Sequence, residues 1–164
     1  MIGAGRLYVV EFHAVAATAQ QDLFYLKPAA DKPIVLEQLY LAASGGTADA
    51  GDAQEELLEL RVVRLPATVT VGSGGNSFTP NPQQPADTAA GFTARINDTT
   101  KATTSGTALV LHSDAMNNRS PYQLPPAPEH RLWAFNATAL TVQLDTTPAD
   151  SILLNGTALV REFG

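Results

Sequence analysis

The chain is 164 residues long, has no cysteine, and sets 10 Lys and Arg against 16 Asp and Glu, a formal net charge of −6. The missing cysteines exclude a disulfide framework, a thiolate zinc site and a cysteine nucleophile, and the negative balance opposes nucleic acid or an anionic membrane as main partner. Only 16 % of the residues are charged, while alanine (26) and threonine (17) abound, so much of the surface is uncharged, loses little on desolvation and suits contact with other protein.

Met1 to Arg6 run straight into a strand pattern, without the apolar stretch and cleavage site of a leader, so a soluble chain made in the cytoplasm is expected. Leu7 to Val15, β-branched and aromatic with partial alternation, predicts the first strand. Gln21 to Lys27 predicts a second, with Leu23 and Tyr25 on one face, Phe24 and Leu26 on the other, and Pro28 to stop the ladder. Ile34 to Ala43 predicts a third. It is also the longest near-apolar segment, contains Glu37 and Gln38, and falls far short of the roughly 20 residues a bilayer crossing needs.

Ser44 to Asp52 reads as a loop on composition. Gln54 to Leu65 is ambiguous, with helix formers at its start but period-two alternation of Leu58, Leu60 and Val62; it reads mainly as strand, with Thr68 to Val71 following Pro66. Gly72 to Ala90 is a long Gly/Pro-rich loop of the kind that is usually functional or mobile. Strands resume at Gly91 to Ile96 and Thr107 to His112, then a second irregular stretch runs from Ser113 to Pro128. Arg131 to Phe135, Ala139 to Asp145 and Ser151 to Phe163 complete the pattern, with Asn155-Gly156 either a tight hairpin turn or a bulge in one long strand.

About eight to ten short strands with Gly/Pro-rich connections predict an all-β chain, a jelly roll or related antiparallel β-sandwich. The length suits a single domain over residues 1–164, burying roughly 70 % of the unfolded surface.

Chemistry-bearing patterns are sparse. Asp49, Asp52, Glu55 and Glu56 gather around Gly51, but their spacing does not match a calcium loop, and a solvated acidic loop is the expectation. His13, His112 and His130 lack a clustered metal spacing; His112-Ser113-Asp114 and Glu129-His130 only superficially offer triad parts, and no nucleophile elbow surrounds any serine. Gly72-Ser73-Gly74-Gly75 lacks the lysine ending of a phosphate loop, and no basic patch emerges around Arg61, Arg64 and Arg95. No enzymatic activity, cofactor or metal is expected. Trp133 and Phe135 flank Ala134 and can face one side of a strand, in the core or as a sugar-stacking platform.

Over nearly its whole length the chain resembles the jelly-roll decoration, or cement, proteins of tailed-bacteriophage heads. The resemblance is carried by Thr18 to Phe24, Ile34 to Leu41, Asp49 to Leu58, Gly74 to Pro80 and Leu154 to Val160, and does not extend to Pro121 to Glu129. It implies a non-enzymatic virion protein, a homotrimer or similar oligomer seated on the capsid surface with the major capsid protein as partner, and no nucleic acid or membrane. Phe78, Met116, Tyr122 and Leu124 lie in the long loops and are candidate interface anchors, unless each folds back onto its own core. A head-fibre base, a tail adaptor or a carbohydrate-binding jelly roll are the alternatives.

Overall fold

The computed structural model describes residues 5–44 and 55–164. Within them the chain forms fourteen strands, one 3-10 turn at Pro128–His130 and no α-helix. In chain order the strands are β1 (Arg6–Ala17), β2 (Gln21–Lys27), β3 (Ile34–Ala43), β4 (Leu57–Leu65), β5 (Val69–Thr70), β6 (Asn76–Phe78) and β7 (Asn81–Pro82). They continue as β8 (Thr93–Asp98), β9 (Thr103–Thr104), β10 (Leu109–Asn117), β11 (Tyr122–Leu124), β12 (Leu132–Ala134), β13 (Ala139–Leu144) and β14 (Ile152–Glu162).

Two six-stranded antiparallel sheets face one another. The first runs β11-β3-β14-β1-β7, with β12 also on β3; the second runs β10-β4-β13-β2-β8-β6, and β5 and β9 form a separate ribbon. Without the additions, β1-β14-β3-β11/β12 and β2-β13-β4-β10 are the interlocked Greek keys of a jelly roll. Residues 66–108 are an excursion between β4 and β10. It returns along the opposite edge, adding β8 to β2, β6 to β8 and β7 to β1.

Alternation explains the layers. Along β14 the residues Ile152, Leu154, Gly156, Ala158 and Val160 are buried, while those between them are half-buried on the other face. Tyr8, Val10 and Phe12 of β1, Phe24 and Leu26 of β2, Leu58, Leu60 and Val62 of β4, and Leu140, Val142 and Leu144 of β13 fill the same core. Burying each such Leu or Phe is worth about 1.5–3 kcal/mol. Phe12 and Phe24 meet across the sheets with centroids 5.1 Å apart. Gly156 makes room for them: a Cβ there would lie 2.4 Å from Phe12 Cε1.

Several expectations are corrected. Ser113 to Asn117 is not irregular but the second half of β10, paired with β4 through Leu57 to Arg61, and Tyr122–Leu124 adds to β3. These segments lack hydrophobic alternation because they lie at sheet edges. The Gly72 to Ala90 loop contains the short strands β6 and β7. In β4 period two prevails over helix, with Leu58, Leu60 and Val62 inward. Asn155-Gly156 forms no hairpin. The irregularity facing it is in β1, between Phe12 and Val15, where Ala14 takes a φ of 50° and its N–H donates to Asn155 Oδ1 at 2.7 Å.

Candidate functional site

The two sheets treat their outer faces differently. On the second sheet, Tyr25, Val63, Leu65 and Ala139 are covered by Val69 and Ala102 of the excursion. Polar groups pin that cover. Asp22 Oδ2 accepts from Ala102 N at 2.7 Å, and its Oδ1 from Gln143 Nε2 at 3.0 Å. Asp98 Oδ1 accepts from Gly75 N at 3.0 Å and from Arg95 Nη2 at 2.6 Å. Lys101 Nζ contacts Asp145 Oδ1, whose other oxygen lies 3.0 Å from Arg61 Nε.

The outer face of the first sheet is covered only in part: Val35, opposite Trp133 and Arg161, is buried, while Leu7, Val9 and Leu159 are half-buried. The core-facing alternation of β1, β14 and β12 turns Leu7 and Val9, Leu153 and Leu159, and Trp133 outward. Trp133 stacks on Phe135 (centroids 5.7 Å, planes 9° apart) and on Phe163 (5.2 Å, 24°), and Phe135 is 50 % exposed. Beside this aromatic row Glu37 Oε1 accepts from Arg161 Nε at 2.6 Å, and Glu37 Oε2 lies 3.3 Å from Arg131 Nε. With Leu7, Gln38, Pro125, Pro126 and Leu159, these three charged residues line a hollow of about 320 Å³. Aromatic and aliphatic side chains beside arginine are what protein interfaces favour.

The four anchors expected from sequence do not form one patch. Met116 is 2 % exposed in the central core, paired with Leu58, which leaves it no surface to offer. Tyr122 and Leu124 of β11 and Phe78 of β6 are half-buried and lean on that core, with Phe78 at the edge of the second sheet. Phe78 also lines a groove of about 680 Å³ built by the excursion, together with Tyr25, Lys27 and Arg95.

Among the described residues no group of three His, Asp or Glu side chains assembles as a metal site. His112 Nε2 lies 3.1 Å from the Tyr122 hydroxyl and 3.8 Å from Asp114 Oδ2, a clasp across the open edge between β10 and β11. Burial, then Asp114, pushes the Tyr122 hydroxyl up to about 12, so it stays protonated. His13 is exposed at the β1 irregularity and His130 lies in the 3-10 turn. The acidic loop lies outside the described residues up to Gln54; Glu56 Oε1 accepts from Ala149 N at 2.9 Å.

No protein-family model, curated protein or solved structure matches the chain. The chemistry of the open face is therefore the guide to its use. Sequence reading missed Leu7, Leu159, Phe163 and the Glu37 ion group; the period-two pattern of Ser151 to Phe163 carried the signal, since it puts Leu159, Arg161 and Phe163 on one side.

Proposed function

We propose that the chain is a structural protein of a tailed-phage particle. It decorates the outer surface of the head as an oligomer, a homotrimer in its simplest form, and cements the lattice of major capsid protein. The supporting observation is the outer face of the first sheet, where half-exposed Phe135 and Leu7, Leu159, Trp133 and Phe163 lie beside the Arg131–Glu37–Arg161 group. Half-exposed Phe135 beside half-buried Leu7, Leu159 and Trp133 and the two arginines gives this face the mixed aromatic, aliphatic and charged character suited to a protein partner.

Sedimentation with empty heads of the phage or prophage that encodes the chain tests this reading. The wild-type chain is expected to pellet with heads and to raise their melting temperature, and Leu159→Arg to stay in the supernatant. A folded wild-type chain that never co-sediments overturns it. The aromatic row favours one second reading, a carbohydrate-binding module. Glycan-array binding that is lost in Trp133→Ala would decide for that alternative.

A further inference from the structure

The excursion and the second sheet meet at a pair of groups able to react with one another. Lys101 lies in the excursion just before β9, and Asp145 follows β13. We propose that Lys101 Nζ and Asp145 Cγ join in an intramolecular amide, an isopeptide bond that staples the excursion to the sandwich.

Geometry carries the argument. Lys101 Nζ touches Asp145 Oδ1, and their side chains are 24 % and 11 % exposed. Both are held from the backbone: Asp145 N donates to Glu59 O at 2.9 Å, and Ala102, the residue after Lys101, is 6 % exposed and donates to Asp22 Oδ2 at 2.7 Å. Fixing an amine against a carboxyl replaces an encounter in water by a unimolecular step, with the orientation already set by folding. Arg61 Nε stands 3.0 Å from Asp145 Oδ2, where charge develops as the carboxyl carbon becomes tetrahedral.

A neighbouring acid is also present. Asp22 is 1 % exposed and takes hydrogen bonds from Ala102 and Gln143. Burial raises it to about 6 against the lowering by its Ala102 and Gln143 hydrogen bonds and the nearby Lys101 charge, which places Asp22 in the same cluster.

The step balances without a co-reactant. The ammonium passes a proton to the carboxylate it touches, giving amine and carboxylic acid. The nitrogen lone pair attacks Cγ and a C–N bond forms. A proton passes from nitrogen to the departing hydroxyl, the C–O bond breaks, and one water leaves. Ammonium and carboxylate thus become amide and water, with no change of oxidation state. In a chain without cysteine, such a bond restrains the unfolded ensemble as a disulfide would.

Intact-mass spectrometry of the purified, denatured chain is the test. The wild-type chain is expected to weigh one water less than its sequence, and digestion to yield a branched peptide joining the segments around Lys101 and Asp145. Lys101→Arg, which keeps the ion pair but cannot form this bond, is expected at full sequence mass, as is Asp145→Ala. A folded wild-type chain at full mass overturns the proposal, as does a water loss that persists in Lys101→Arg. Neither result depends on whether the chain binds phage heads.

Discussion

Asp22 and Asp98 stand directly opposite one another on β2 and β8, each only 1 % exposed. Like charges in that position repel. The pair is tolerated because its members are treated unequally. Arg95 Nε and Nη2 hold Asp98 at 2.8 and 2.6 Å, whereas the hydrogen bonds to Asp22 come from the neutral Ala102 N–H and Gln143 amide.

The consequence is a pH-dependent stability. Burial, above all, lifts the Asp22 carboxyl from 3.8 to about 6 in the folded chain. Between about pH 4 and 6 the folded state keeps a proton that the unfolded chain has released, so this group's contribution to stability falls as pH rises through that window. The loss is at most about 3 kcal/mol, from the conversion of pKa shift to free energy. Urea midpoints for Asp22→Asn should lack this decline while those of the wild type show it. Superimposable pH profiles would refute the assignment.

Glu162 predicts a different loss. It is 3 % exposed, its Oε2 accepts from Gly91 N at 2.8 Å and Phe92 N at 2.9 Å, and Lys32 Nζ lies 3.9 Å from Oε1. Glu162→Ala removes the acceptor of both and leaves the buried Phe92 N–H unsatisfied, which should cost about 1–3 kcal/mol, while the exposed Gly91 N–H can turn to water. Glu162→Gln keeps an acceptor oxygen and should lose less. Chemical unfolding at constant m-value ranks the two.

Gly156→Ala should be disproportionately harmful for one methyl group. Its Cβ would meet the Phe12 ring at 2.4 and 2.5 Å and Phe24 Cζ at 3.0 Å, so two core rings must move. Overpacking of this kind costs about 1–3 kcal/mol. Phe12→Leu in the same chain should recover part of the loss, and a double-mutant cycle without coupling would show that the rings are not the obstacle.

Phe135→Ser probes the open face without touching the core. The ring is 50 % exposed, so stability should shift by no more than about 0.5 kcal/mol, plus part of the Trp133 stacking. Association with phage heads should nevertheless weaken. Equal head binding by wild type and variant would remove Phe135 from the contact surface.

Much of the framework was legible in the sequence. Gln21 to Lys27 and Ile34 to Ala43 are strands over the expected residues, and Ser151 to Phe163 contains β14, because apolar residues there alternate or run continuously against two neighbouring strands. Met116 was misleading: one methionine within Ser-Asp-Ala-Met-Asn looks like a loop anchor, yet an edge strand needs only its inward positions apolar. The covered face of the second sheet was not legible at all. Asp22, Ala102 and Gln143 are joined only by tertiary structure, and no local pattern marks residues so far apart in the chain. Trp133 and Phe135 announced their shared side through Ala134 between them, whereas Phe163 joins them through the pairing of β14 with β3.

The position of β14 also governs how the molecule comes together in time. This strand is made after every other described strand, yet it lies between β1 and β3 and pairs with both along most of its length. Until it arrives, those two strands have no common neighbour and one wall of the core is missing. The sandwich therefore closes late, by contacts distant in sequence, the regime in which domains fold in milliseconds to seconds rather than microseconds.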